Sequence, residues 1–568
     1  MFILKFPSIS SKAVLNEKVF VICCIISCAF FESFSVVGQT QKSLFFFKDK
    51  TGTSYSLDEP EAFLTNRSIE RRNKQGISLN ERDLPVSNVY LDAIKEAGAN
   101  ILYTTKWLNG VLIEAEDAAV FETIKEFDFI IESNISLGTL EPAEFIKENT
   151  AVNKIRQESA HQKKTKELDY GVSFNQLEML GVPTMHEAGY TGKGILIAIL
   201  DGGFNNADEI AVFDSLFINK QIISTYDFVE REENVYDDHD HGTNVLSIIG
   251  ANSPGNIIGA AYEADFVLLR SEEVANESRV EEFYWLAAAE YADSIGADII
   301  NSSLGYSTFD DPIDNYTHED LDGETSLITI AADFAASTGM LVVASAGNEG
   351  NKNWGTITPP ADGDSVLSVG AVSAQQTHVG FSSIGPSSDG RIKPDVSAQG
   401  SSVVIGSGSG NIESSNGTSF STPLITGLAA GIWQSLPNYT NMQLLKVIKL
   451  ISSQYINPDN ELGYGIPNFI NLNDVIASNN KVNAFDFQVY PVPFSSLIQI
   501  ELPSKLGGKE VDLVFYDLKG KVLFQERHLV TENHVFLGIE KLNSIPKGIL
   551  LLGISSEKGI SYRTVIKN

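Results

Sequence analysis

The sequence predicts an α/β protein. Its largest unit is a doubly wound, mainly parallel sheet, with a small α+β unit before it and a small β-sandwich after it. Three observations predict this. Across residues 170–475 the apolar runs at 195–200, 266–269, 298–301, 340–345 and 366–369 are continuous rather than alternating, as strands buried on both faces of a parallel sheet are. Helical stretches at 244–250, 280–295 and 328–338 lie between them, which is the βαβ rhythm. Residues 485–568 instead carry short alternating stretches with turn signals, the pattern of an antiparallel sandwich.

Composition agrees with a globular chain and narrows its partners. The 568 residues are 43% hydrophobic and 20% charged, so a wholly disordered or fibrous protein is excluded. Lys plus Arg is 41 against 73 for Asp plus Glu, a formal charge of −32. Such a chain is repelled by nucleic acid and by anionic lipid.

The N-terminus reads as a secretory signal peptide over 1–38. Lys5, Lys12 and Lys18 precede the nearly apolar run 19–31, and Val36 and Gly38 follow as a small-residue cleavage site. Two other readings stay open: a membrane anchor, and a lipoprotein signal in which Ile25-Ile26-Ser27-Cys28 presents Cys28. The three cysteines, Cys23, Cys24 and Cys28, all lie here. A cut after Gly38 leaves a chain whose stability comes from its core and not from disulfides. No other segment is long and apolar enough to span a bilayer.

Residues 43–135 form the α+β unit. A strand at 43–47 precedes a helix over 86–97, with Val86, Val89, Tyr90 and Ile94 apolar and Gly98 as its stop. Strands at 100–105 and 110–115 turn around Asn109. Asp117 caps a helix carrying Val120, Phe121, Ile124 and Phe127, and a strand at 129–131 closes the unit. This strand–helix–strand–strand–helix–strand order is ferredoxin-like. Residues 141–169 are polar, with Lys163-Lys164-Thr165-Lys166 inside. They read as an exposed linker, or in their first half as a solvated helix. Residues 476–484 are a polar break. In the tail, strands are expected at 497–502, 511–516, 521–525 and 549–554, with 517–520 as a hairpin loop.

Four residues stand where chemistry is done. Asp201 follows the run 195–200, so its carboxylate lies at the C-terminal edge of a parallel strand, where α/β sheets place their sites; many such residues simply end a strand. His241 opens an apolar helix within Asp238-His239-Asp240-His241-Gly242-Thr243. That cluster also offers metal ligands, but a helix-opening His-Gly-Thr needs none. Ser419, in Gly417-Thr418-Ser419-Phe420-Ser421-Thr422-Pro423, stands at the start of a buried helix, where free N–H groups favour negative charge; serine is also a routine cap. Asn348, in Ser345-Ala346-Gly347-Asn348-Glu349-Gly350, can donate to an oxyanion or merely turn the chain. Each is ambiguous alone. Together they supply a nucleophile, its base, an orienting acid and an oxyanion donor.

The chain order Asp–His–Ser, with Asn between the last two, matches the subtilisin arrangement. Those blocks, with Ile199-Leu200-Asp201-Gly202-Gly203, resemble the four signature blocks of the subtilisin-like serine peptidases. The resemblance covers about 300 residues. It implies a subtilisin-like three-layer sandwich, with Asp201 as orienting acid, His241 as base, Ser419 as nucleophile and Asn348 as oxyanion donor. It also implies that Ser302, Ser303, Leu304 and Gly305 form an edge strand for substrate, faced by Ser345, Ala346 and Gly347 across the primary specificity pocket. Two positions depart from the pattern. Gly202 stands where many members have Ser or Thr, and Asn244 where many have His. The chemistry needs no cofactor. Members often bind structural calcium, but no loop here shows calcium-ligand spacing, so no metal ligand is assigned. The acidic insertion over 306–325 is read as a solvated loop ahead of a defined metal site; rimming the cleft and holding Ca²⁺ are the other readings.

The flanks fit the same picture. Residues 39–140 resemble the inhibitory propeptide of these peptidases, with the processing site expected in the linker 141–169 and the peptidase domain at 170–475. After the 476–484 linker, residues 485–568 resemble the C-terminal sorting domain of the type IX secretion system. That resemblance rests on Phe487-Gln488-Val489-Tyr490-Pro491-Val492-Pro493-Phe494, on Tyr516-Asp517-Leu518-Lys519-Gly520-Lys521 and on the ending from Lys547-Gly548-Ile549-Leu550-Leu551 to Lys567. The usual Tyr-Pro-Asn-Pro is Tyr490-Pro491-Val492-Pro493 here. The expected function is a secreted serine endopeptidase, made as a self-processed zymogen at the surface of a Gram-negative bacterium, which acts on proteins or peptides and loses activity on acidification as His241 protonates. Two other readings use the same residues: an inactive adhesin on a peptidase scaffold, and an esterase or amidase.

Overall fold

The structure, a computed structural model, describes residues 41–131, 153–154, 168–475, 487–517, 521–531, 534–537, 539–542, 545–556 and 559–568. The expected signal peptide, its cysteines, the 476–484 break and all of 141–169 except Asn153, Lys154, Leu168 and Asp169 lie outside them.

Seven parallel strands form the central sheet. In spatial order they are Val396–Gln399, Val366–Val372, Leu341–Ser345, Ile299–Ser302, Leu196–Asp201, Asp265–Arg270 and Ile222–Asp227. The strand Leu196–Asp201 shows why its run is unbroken. Ile197 and Ile199 face one core with Leu246, Leu424 and Leu428. Leu196, Ala198 and Leu200 face the other with Phe283, Ala287 and Ile328. Helices His241–Gly250 and Thr418–Ser435 cover the first face, Val280–Ile295 and Leu327–Ser337 the second. Three layers result, as expected. Both end strands escape the sequence reading. Ile222–Asp227 is half-exposed with Ser224 and Thr225 inside it, and Val396–Gln399 spans four residues.

The N-terminal unit is a four-stranded antiparallel sheet in the order Asn100–Thr105, Gly110–Ala115, Gln41–Phe47, Ile130–Ile131. With helices Asn88–Glu96 and Ala118–Lys125 it makes the expected ferredoxin-like fold. One sheet face lies on helix Val280–Ile295, where Tyr103 meets Tyr284 edge-on at 6.1 Å. An unexpected helix, Asn66–Gln75, docks by charge. Its Arg71 and Arg72 reach Asp293 at 2.5 and 2.8 Å, and Lys106 reaches the same carboxylate at 2.7 Å. All four side chains are at least nine-tenths buried. Glu290 caps the same corner, accepting from the N–H groups of Lys106 at 2.9 Å and Trp107 at 3.0 Å.

The tail packs a three-stranded against a four-stranded antiparallel sheet around Phe494, Ile498, Ile500, Leu513, Phe515 and Ile554. It is the expected sandwich. Lys521 N–H donates to Asp517 Oδ1 at 2.9 Å, while 518–520 of the expected hairpin loop lie outside the described residues. No helix among the described residues is long and apolar enough to cross a membrane.

Candidate active site

Asp201 is the last residue of its strand and is fully buried. Its Oδ1 accepts the Gly202 N–H at 2.8 Å and the Nδ1–H of His241 at 2.7 Å. His241 is the first residue of helix His241–Gly250. That start is fastened to the chain leaving Asp201, because Gly242 N–H donates to Gly203 O at 2.9 Å. With Nδ1 directed at the carboxylate, Nε2 is the ring nitrogen left for chemistry. Burial alone would lower the His241 pKa. The charge of Asp201, its hydrogen bond, and Glu272 and Asp240 outweigh burial and raise it to about 9.

Ser419 is the second residue of helix Thr418–Ser435. The helix continues through Pro423, which cannot donate to the carbonyl four residues back. That carbonyl belongs to Ser419, and the Ser303 hydroxyl donates to it at 2.9 Å. The Ser419 hydroxyl in turn donates to Ser303 O at 3.2 Å. Among the described residues its acceptor is thus Ser303 and not His241. The His241 ring lies beside the next residue, Phe420, with centroids 5.7 Å apart.

Asn348 follows strand Leu341–Ser345 and is oriented by what it accepts. Thr418 donates to its Oδ1 through N–H at 2.9 Å and Oγ1 at 3.1 Å. A backbone N–H can only donate, so the partner atom must be the amide oxygen. The Nδ2 donors are thereby turned to the serine loop, 3.6 Å from where a Cβ on Gly417 would stand.

The two segments expected to bind substrate lie side by side. Ser345 Oγ donates to Leu304 O at 3.1 Å. Ala346 is fully buried, and its N–H donates to Val369 O at 2.9 Å. Gly347 has φ +105°, and a Cβ on Gly305 would stand 2.2 Å from Thr358 Oγ1, so neither position suits a side chain. Ser302 corrects the edge-strand expectation. It ends an interior strand paired on both sides, with Leu200 and Ala344, and its hydroxyl accepts from Trp285 Nε1 at 3.0 Å. Only Ser303, Leu304 and Gly305 run on beyond the sheet.

The acidic insertion turns three of its seven carboxylates inward on its own backbone. Asp311 caps Ile313 N–H, Asp320 caps Thr317 N–H, and Asp322 caps the N–H groups of Glu324 and Thr325. The acids that do crowd together are Glu272, Glu277 and Glu281, which sequence spacing did not single out. They explain Gly202: a Cβ there would stand 2.7 Å from Glu272 Oε2 and 2.9 Å from Val274 Cγ2. Glu349, beside the specificity segment, pairs with Lys352 at 3.1 Å.

The subtilase family profile matches residues 192–465, the peptidase S8 propeptide domain of Bacteroidota matches 42–164, and the secretion system C-terminal sorting domain matches 488–568. Subtilisin of Bacillus pumilus is 32% identical over 278 residues, 48% of this chain and 88% of the relative. Subtilisin NAT of Bacillus subtilis subsp. natto is 28% identical over 357 residues, 62% of this chain and 78% of the relative. Among solved structures, MycP1 from Mycobacterium smegmatis aligns at 21% identity over 56% of this chain and 88% of its own, with a TM-score of 0.41. The chain belongs to the subtilase family: it is a secreted or cell-surface serine-type endopeptidase that carries an S8 propeptide and a secretion-sorting domain.

Proposed function

We propose that the enzyme cleaves peptide bonds through Ser419, His241 and Asp201, with an acyl-enzyme intermediate, and that it is made as a zymogen that processes itself. The observation that carries this reading is the 2.7 Å Asp201–His241 contact at the sheet rim, beside the helix that opens with Ser419. Rotation about one side-chain bond turns the Ser419 hydroxyl from Ser303 O toward His241 Nε2. His241 takes the proton as Oγ attacks the substrate carbonyl, then returns it to the leaving amine. Asp201 holds the tautomer and stabilises the cation. Asn348 Nδ2 and the Ser419 N–H, which has no intrahelical acceptor in the first turn, receive the oxyanion. Water then attacks the acyl ester with His241 again as base.

Ser303, Leu304 and Gly305 line one side of the bound peptide, and Ser345, Ala346 and Gly347 the other. The substrates are proteins or extended peptides. No cofactor takes part in the chemistry. Residues 1–38 are removed on export, 39–140 inhibit the cleft until the 141–169 linker is cut, 170–475 do the chemistry, and 485–568 engage the secretion machinery at the outer membrane of a Gram-negative cell. The test is hydrolysis of casein against a simple ester, together with mass spectrometry of the termini. The account expects casein cleavage and a processed N-terminus, both abolished in Ser419→Ala. Ester hydrolysis without casein cleavage would overturn it.

A further inference from the structure

The two segments assigned to the primary specificity pocket each bring a glycine to one point. A Cβ on Gly305 would stand 2.2 Å from Thr358 Oγ1, and a Cβ on Gly347 would stand 2.8 Å from the same atom. The directions in which the two walls lack a side chain therefore converge, and a hydroxyl from a third segment sits where they meet. Thr358 is 2% exposed, and among the described residues its buried hydroxyl has no hydrogen-bond partner. The other hydroxyl at Gly347, that of Ser383, is engaged, accepting the Glu349 N–H at 3.0 Å. A buried hydroxyl left unmet is costly, so native structures rarely keep one without a reason. Between two substrate-binding walls the reason is a ligand: a bound side chain brings the missing partner, as the few polar groups of a binding pocket require.

The backbone around Thr358 is tied to both walls. Its N–H donates to Ala346 O at 3.1 Å, and the carbonyl of the next residue, Pro359, accepts the Tyr306 N–H at 3.0 Å. The Thr358 carbonyl accepts the Ala361 N–H at 2.9 Å. Ile357, just before it, is buried in a small apolar cluster with Ala346 and Ala361. The hydroxyl is thus held at a fixed place between the walls. It takes up depth that a long side chain would need and leaves room for a short one. Glu349, the acid beside this wall, is engaged by Lys352 at 3.1 Å. The group that awaits a partner here is a neutral hydroxyl, which both donates and accepts.

We propose that Thr358 closes the primary specificity pocket, and that the enzyme cuts after small side chains that hydrogen-bond to its hydroxyl, serine above all, in preference to large aromatic ones. This rests on Ser419, His241 and Asp201 acting as proposed above and names the substrate class of that same site. The test gives the processed enzyme three peptides that differ only in the residue on the carbonyl side of the cut: serine, its isostere 2-aminobutyrate, and phenylalanine. Mass spectrometry of the products fixes the cut position. The proposal expects kcat/KM for serine to exceed each of the others at least about tenfold. Thr358→Gly opens the pocket and is expected to raise kcat/KM for phenylalanine at least about tenfold. Thr358→Val keeps the volume, so it still excludes phenylalanine but loses the advantage of serine over 2-aminobutyrate. A parent enzyme that cuts after phenylalanine as readily as after serine would overturn the proposal before any variant is made. Unchanged selectivity in both variants would overturn it too. Casein cleavage by the parent, abolished in Ser419→Ala, checks the triad separately, so a wrong preference is told apart from a wrong site.

Discussion

Asp293→Asn is the most informative change at the contact between the propeptide and the peptidase domain. Asp293 is fully buried and takes three cations at once: Arg71 at 2.5 Å, Arg72 at 2.8 Å and Lys106 at 2.7 Å. Burial alone would raise its pKa. The charges of Lys106, Arg72 and Arg71 outweigh burial and hold it well below the carboxylate range. The sign follows. A depressed acid contributes docking affinity above its free pKa and loses it only as pH falls through the docked value, so the contribution is intact at neutral pH. The nearby acids Asp83 and Glu290 remain in the variant, but they engage Arg72 and the backbone at Lys106 and Trp107, so one buried positive charge is left uncompensated. Removing one partner from a buried ion pair costs about 3–5 kcal/mol. At about 1.4 kcal/mol per tenfold, inhibition by the propeptide weakens roughly 10²- to 4 × 10³-fold. The assay is the inhibition constant of residues 39–140 added to the processed enzyme. Because the three cations on Asp293 all belong to the propeptide unit, kcat of the processed enzyme on a short peptide is expected to stay unchanged. An inhibition constant within about threefold of the parent's would refute the reasoning.

Other outcomes follow from the same geometry. Asn348→Leu is expected to lower kcat by about 10²–10³ with KM little changed, read by steady-state kinetics on the processed enzyme. With His241 raised to about 9 and working as a base in its neutral form, kcat/KM should climb about tenfold per pH unit up to about 9 and be lost on acidification; a profile flat from pH 9 to 6 would contradict this. Ser303→Ala strips the Ser419 carbonyl of the hydroxyl that donates to it in place of the missing Pro423 N–H, and should cost about 1–3 kcal/mol in denaturant unfolding. Gly202→Ser forces a side chain against Glu272 and Val274, and a loss of about 1–3 kcal/mol is expected in the same measurement.

What could be read in the residues was whatever local chemistry writes there. Runs such as Ile195-Leu196-Ile197-Ala198-Ile199-Leu200 announce two covered faces, and the structure covers both. The four motif blocks could be read because each carries its own turn or helix start. The helix Asn66–Gln75 could not. Its sequence, NRSIERRNKQ, has almost no apolar face, because Arg71 and Arg72 bury themselves by charge on Asp293, which lies more than two hundred positions away. The acids were harder to read. The dense insertion at 306–325 offered a calcium reading beside that of a solvated loop, and three of its seven carboxylates cap its own turns. The acids that do crowd together draw Glu272 and Glu277 from one loop and Glu281 from a helix start, a grouping only the fold creates.

The reading of the site is tested most directly by treating the processed enzyme with a fluorophosphonate and mapping the adduct by peptide mass spectrometry. The account predicts a single phosphonylated residue, Ser419, with labelling abolished in His241→Ala and slowed in Asp201→Asn. An adduct on another serine, or labelling of Ser419 at an undiminished rate without His241, would contradict it.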